Sequence, residues 1–196
     1  MKNKNNVYLV VLVLFAGFFT NSISAQTGQS GDSETGSAYA HVVVAMEMIP
    51  WDDLRWGTLI STGEAATLVM DPITSAITGG TGHVASGGSP ATSAVWLAHG
   101  TKGSSYAISV NGSSNTGMTI PGAEVTLTAD FPAGDEMQNT MVMTDFTIGF
   151  RNGEIEAIIH PEDSMQYFHL GGSLSMVAGQ TEGTYSGSYD VSIDYN

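Results

Sequence analysis

The side chains able to do chemistry in this sequence are few and scattered. His41, His83, His99, His160 and His169 form no His-x-x-x-His pair that would present two imidazoles to one ion. His160-Pro161-Glu162-Asp163, with His169 nearby, carries ligating atoms, but a metal needs three or four ligands converging on one point. Loop residues on the surface are the expected reading, with His99 and His169 in strands. Asp52-Asp53 and Glu162-Asp163 are acidic pairs without the Asp-x-Asp-x-Asp-Gly calcium loop, so at most a weak, unlocated calcium site is expected. With no cysteine there is no thiolate nucleophile, no disulfide and no Cys-ligated zinc or iron–sulfur centre. Gly31-Asp32-Ser33 sets a serine beside a carboxylate, yet it precedes every strand able to hold that serine. No Gly-x-Ser-x-Gly elbow occurs. Gly79-Gly80-Thr81-Gly82 is not followed by a helical pattern and is expected to be a loop rather than a phosphate cradle. The reading is a chain without catalytic residues, bound metal or cofactor.

Aromatic residues offer a different chemistry, because ring faces stack on the apolar faces of sugars. Trp51, between Pro50 and Asp52, is the candidate ligand contact. Trp96 shares parity with Ala94 and Ala98, and Trp56 precedes Gly57 in an apolar turn, so both are expected in the core. The methionines read as adaptable core filler rather than soft-metal ligands.

The elements that must position these residues follow from composition. Nineteen acidic residues stand against five Lys and Arg, a formal charge of −14. That charge disfavours nucleic acid, whose phosphates need Lys and Arg to release their counterions. With 42% hydrophobic and only 12% charged residues the composition is globular, and 24 glycines favour turns. Lys2 and Lys4 precede the apolar run Val7 to Phe19, and Asn21 to Ala25 ends in a small residue. This is the layout of a secretory signal peptide over residues 1–25, cleaved after Ala25. The run is shorter than the roughly 20 apolar residues a spanning helix needs, so no membrane span is expected. Cleavage would remove both lysines and take the net charge to −16, a surface that repels anionic lipid. Localisation is accordingly periplasmic, extracellular or at the cell surface.

Residues 26–38 lack large apolar side chains and read as a flexible leader, followed by one domain over 39–196. Short Val-, Ile-, Thr- and aromatic-rich runs then alternate with Gly, Pro, Asn and Asp. Strands are expected near 39–49, 56–60, 65–70, 75–78, 82–86, 92–99, 104–110, 124–131, 140–150, 154–160, 166–170, 173–177 and 184–195, some of them merging. Asn152-Gly153, between TDFTIGF and EIEAII, and Asn111-Gly112, after SYAISV, suit the positive-φ positions of tight hairpins. The terminal run has the clearest period of two. Tyr185, Gly187, Tyr189, Val191, Ile193 and Tyr195 share one parity, and Ser186, Ser188, Asp190, Ser192 and Asp194 the other. No sustained helical pattern and no internal repeat appear, so the expected fold is an all-β antiparallel sandwich.

Several stretches stand out together: Asp53-Leu54-Arg55-Trp56-Gly57-Thr58-Leu59, Trp96-Leu97-Ala98-His99-Gly100, Tyr106-Ala107-Ile108-Ser109-Val110, Leu170-Gly171-Gly172-Ser173-Leu174, Gln180, Gly183-Thr184-Tyr185-Ser186-Gly187, and Val191 to Tyr195. In their order and spacing they resemble a bacterial secreted family catalogued as domain of unknown function 4402. The terminal strand is also similar to that of chaperone–usher pilins, with penultimate Tyr195 and Gly183 fourteenth from the end. The pilin resemblance implies an immunoglobulin-like sandwich whose open groove a neighbour's strand completes. A donor strand needs alternating apolar residues upstream of the domain, and 26–37 has none. The only apolar N-terminal strand is Tyr39 to Ile49, which the domain needs for itself if the fold is closed.

The leading expectation is a secreted, non-enzymatic, fimbria-like structural or adhesive subunit that assembles through strand pairing. Gly183, Tyr185, Tyr189, Val191, Ile193 and Tyr195 would be its pairing and core anchors, and like subunits or a periplasmic chaperone its partners. The alternative is a soluble module that binds carbohydrate or a host glycoprotein through Trp51.

Overall fold

A computed structural model describes residue 40 and residues 42–196, except 81, 86, 133 and 135. The signal segment 1–25, the leader 26–38, Gly31-Asp32-Ser33 and His41 lie outside the described residues. Strands β1 (Glu47–Asp52), β2 (Ala66–Met70), β3 (Ile77–Gly79), β4 (Ala94–His99), β5 (Tyr106–Val110) and β6 (Ser113–Ser114) come first. They are followed by β7 (Thr119–Ile120), β8 (Val125–Ala129), β9 (Thr140–Phe150), β10 (Met165–Met176), β11 (Tyr185–Ser186) and β12 (Val191–Tyr195). Two short 3-10 turns, Glu136–Asn139 and Arg151–Gly153, are the helical elements among the described residues. The chain is all-β, its pairings are antiparallel, and its layering is sandwich-like.

The larger sheet runs β1-β4-β10-β9-β8-β11, and the smaller is β12-β5-β6. Length explains the branching of the larger one. β10 is long enough to pair with β4 through Met165–Leu170 and with β2 through Gly172–Met176, both on the side opposite β9. The two expected strands at 166–170 and 173–177 are thus one continuous strand.

A bulge sets the core-facing register. Gly171 opposes Thr147 but Ser173 opposes Thr144, so β9 carries one extra residue there. Asp145, at φ 48°, takes the left-handed conformation. The extra residue reverses the parity of β9. Met141 and Met143 face inward before it; Phe146, Ile148 and Phe150 face inward after it. Without the bulge one half of β9 would turn its large side chains to water. Phe146, Phe168, Leu170, Leu68 and Ile108 are fully buried, each stabilising the fold by on the order of 1.5–3 kcal/mol.

Asn111 and Gly112 form the expected tight turn between β5 and β6, with φ of 48° and 80° and Val110 opposite Ser113. These left-handed angles at both central positions are what a type I′ turn demands. The Asn152-Gly153 hairpin is not formed. Residues 151–153 make a 3-10 turn, and β9 pairs instead with β10, β8 and β7. Residues 154–160 cross to the smaller sheet, where Ser105 and Ile158 form a bridge and Tyr106 N–H donates to Ala157 C=O. Among the described residues, 56–60 and 82–85 likewise supply the isolated Leu59–Val84 bridge rather than strands.

The terminal run also departs from the single strand expected over 184–195. Its parity persists, but the chain changes sheets: β11 pairs with β8, and β12 pairs with β5. At the other end, Glu47, Met48 and Ile49 pair with His99, Ala98 and Leu97. The N-terminal strand therefore belongs to its own domain, shifted toward 47–52 from the expected 39–49.

Candidate functional site

The C-terminal residues hold the two sheets together. Tyr185, half-buried in β11, donates its hydroxyl proton to Thr181 C=O at 2.7 Å, with Gln138 C=O at 3.0 Å. It accepts from Gln180 Nε2 at 2.9 Å. The buried Gln180 amide also donates toward Gln138 C=O (2.7 Å) and Thr140 C=O (3.0 Å) and accepts from Val177 N–H. Tyr189 packs against Phe146 with ring centroids 5.8 Å apart. Burial, then the charge of Asp53, pushes its hydroxyl pKa up to about 12. Val191 and Ile193 pack on the core, half-buried. Tyr195 accepts from Thr101 N–H and donates to Val44 C=O, both at 2.6 Å, so the penultimate residue ties down the N-terminal segment. Gly183 is exposed, outside any strand, beside Asp130.

β12 is an edge strand. Asn111 N–H bonds Asp190 C=O and Asn196 N–H bonds Ser105 C=O, so the even residues direct their backbone groups to β5. By the alternation of antiparallel ladders, the N–H and C=O groups of Val191, Ile193 and Tyr195 then point away from β5. Among the described residues no strand receives them. β1, the edge of the larger sheet at its β4 end, differs. Pro50 removes a donor from its middle, a register shift follows between Pro50 and Asp52, and Glu47 and Asp52 charge its ends. Those are the devices that block edge-to-edge association, and β12 has no proline and no bulge.

Trp51 lies elsewhere, on the outer face of the larger sheet. The residue is 63% exposed, and its ring meets that of Tyr167 edge-on, centroids 5.9 Å apart. The Arg151 guanidinium stacks on Tyr167 at 5.0 Å from the ring centre. Arg151 Nε donates to His169 Nε2 at 3.4 Å, so the proton of a neutral His169 sits on Nδ1, buried without a partner among the described residues. Trp56 is buried and Trp96 packs on the core, as their surroundings in the sequence predict.

The four described histidines do not converge. His160 pairs with Glu154 at 2.9 Å, His83 is buried against Thr62 and Gly80, and His99 and His169 are strand residues. No group of three or more ligating side chains able to hold a metal occurs among the described residues. Burial, then the Arg151 charge, holds His169 below its ordinary value of 6.5. The unfolded chain therefore binds this proton more readily than the folded one. Its contribution to stability is complete above 6.5 and is lost as pH falls through that value toward the lower folded one. Urea midpoints measured from about pH 7 down to about pH 5 are expected to fall more steeply for wild type than for His169→Gln. Equal slopes would show that His169 is not the titrating group.

The match to a family model covers residues 47–195, and the family is described as Domain of unknown function (DUF4402). The chain belongs to this family. No curated protein and no solved structure matches it. The matched region of this DUF4402 chain begins at β1 and ends with β12, so it includes the β1 and β12 edges and the aromatic row.

One polar residue of the DUF4402 region escaped the sequence reading. Gln166 is buried and fully bonded: Oε1 accepts from Tyr106 O–H (2.8 Å) and Ile158 N–H (2.9 Å). Nε2 donates to Glu154 Oε2 (2.8 Å) and Glu156 C=O (3.0 Å). A glutamine side chain thus supplies the bonds that a neighbouring strand would give residues 156–158. The signal was its parity with Phe168 and Leu170, which marks a polar group aimed inward.

Proposed function

We propose that this chain is an exported, non-enzymatic structural subunit of the cell surface that assembles by strand pairing at the outer edge of β12. Its partner is a like subunit or a periplasmic chaperone. The observation that carries this reading is the one-sided pairing of β12, whose odd-numbered backbone groups meet no strand among the described residues. A partner strand would satisfy them by β-augmentation, each hydrogen bond adding about 0.5–1.5 kcal/mol net. Export rests on the Lys2, Lys4 and Val7 to Phe19 layout. The blunted β1 edge favours β12 as the pairing surface, since open edges without proline or bulge are templates for another chain.

Light scattering of residues 26–196 over a concentration series is the test. The mass is expected to rise above that of the monomer. Val191→Pro, which removes one outward N–H, and Ser192→Lys, which charges an exposed edge position, are each expected to return it to monomer with an unchanged circular dichroism spectrum. A monomer at every concentration would overturn self-assembly. Association of both variants like wild type would overturn the assignment to β12.

A further inference from the structure

We infer that the outer face of the larger sheet carries a binding site for a neutral saccharide, built on Trp51, Tyr167 and Arg151. The site is independent of assembly through β12, which lies in the other sheet.

The row crosses several strands. Trp51 comes from β1, Tyr167 from β10 and Arg151 from the end of β9, with β4 between the first two. Val95 pairs with His169 and Leu97 with Tyr167, and directly opposed residues share a face. Val95, Leu97 and His169 are each at most 7% exposed, so the row stands on a filled and rigid base. Trp51 above it is a mostly exposed residue. A large exposed indole fixed at a sheet edge by a second aromatic presents an apolar face of the kind that stacks on a pyranose.

Arg151 supplies the polar half. Its guanidinium is stacked on Tyr167, and among the described residues its hydrogen bond is the one from Nε to His169. The Nη groups therefore remain as a planar donor fork, which suits two adjacent hydroxyl oxygens. The neutral His169 positions that fork by accepting from Nε.

Charge selects among sugars. Arg151 shares a depression of the surface with Glu154, His160, Asp163 and Gln166. Both Glu154 oxygens are engaged, by His160 and Gln166, and Asp163 Oδ1 accepts from Met165 N–H. Glu154 and Asp163 together outweigh Arg151 there, and the whole chain is at −14. A carboxylate-bearing sugar would meet Glu154, Asp163 and an acidic surface, whereas hydroxyls can use donors and acceptors alike. A neutral hexose oligomer fits both halves of the site.

Tryptophan fluorescence and calorimetric titration of the mature chain with cellohexaose, laminarihexaose, mannohexaose and tetragalacturonic acid test this. A saturable change with at least one neutral oligomer is expected. Trp51→Ala and Arg151→Ala should each weaken it about tenfold or more, while Phe131→Ala, exposed elsewhere on the surface, should leave it unchanged. Because Trp51 and Arg151 are both exposed, the variants are expected to keep the circular dichroism spectrum of wild type. No saturable change with any neutral oligomer, or equal binding by Trp51→Ala, would overturn the site. Binding of tetragalacturonic acid alone would overturn its neutral selectivity.

Discussion

Deletion of residues 189–196 is expected to abolish the folded state. Tyr189, Val191, Ile193 and Tyr195 are each half-buried. At half of the roughly 1.5–3 kcal/mol for full burial, the four together stabilise the fold by about 3–6 kcal/mol. The deletion also strips β5 of its partner and frees the Val44 and Thr101 groups that Tyr195 ties together. A domain of this size holds only about 5–15 kcal/mol in total, so the burial loss alone takes a large share of it and the lost ladder bonds add to that. Circular dichroism of the truncated chain should show no cooperative melt. Adding the peptide 187–196 in trans should restore one, because the strand binds through ladder bonds and pockets that a separate peptide can still fill. A truncated chain that melts like the full one would show that β12 is dispensable.

The second large effect is expected at Gly171. A Cβ there would stand 2.4 Å from Met70 C=O and 3.0 Å from Pro72 N. Both are backbone atoms of the segment leaving β2, which pairs with β10 at the next residue, Gly172 opposite Met70. No side-chain rotation relieves that clash, so Gly171→Ala must push β2 away from β10 or break their pairing. Overpacking of this kind costs about 1–3 kcal/mol and more where the backbone must move. At about 2–4 °C per kcal/mol, the melting temperature should fall by roughly 2–12 °C. Gly183→Ala is the matched comparison, since its nearest neighbour is the Asp130 carboxylate at 3.1 Å in an exposed turn. It should shift the midpoint little. A Gly171→Ala protein as stable as wild type would mean that β2 packs differently from the arrangement described.

Much of this architecture was legible because sheet-forming residues alternate. The strand at 140–150, the alternation of 191–195, the Asn111-Gly112 turn and the core placement of Trp56 all follow from strand-forming composition, two-residue patterning and turn chemistry. What escaped has a common physical cause: each case depends on a residue far away in sequence. The bulge at Asp145 is stabilised by its opposition to Gly171-Gly172-Ser173, and nothing local distinguishes Asp145 from an ordinary outward strand residue. Asn152-Gly153 has the letters of a hairpin turn, but β9 already has partners on both sides. Residues 154–160 alternate like a strand and instead bond to the Gln166 side chain and the start of β5. The sheet change between Tyr185 and Val191 is equally silent, since parity is the same on either side of it. For the aromatic row, Trp51 was readable from its flanking Pro50 and Asp52. Its companions Tyr167 and Arg151 were not, because strand order rather than sequence distance brings them together.

Hydrogen exchange read residue by residue in the monomeric and assembled forms tests the pairing edge most directly. The amides of Ser192 and Asp194 face β5 and should be protected in both states. Those of Val191, Ile193 and Tyr195 face away and should exchange quickly in the monomer, then become protected on assembly. Protection gained by the odd-numbered amides alone is the predicted result. Odd-numbered amides that exchange equally fast in the assembled form would contradict assembly through β12.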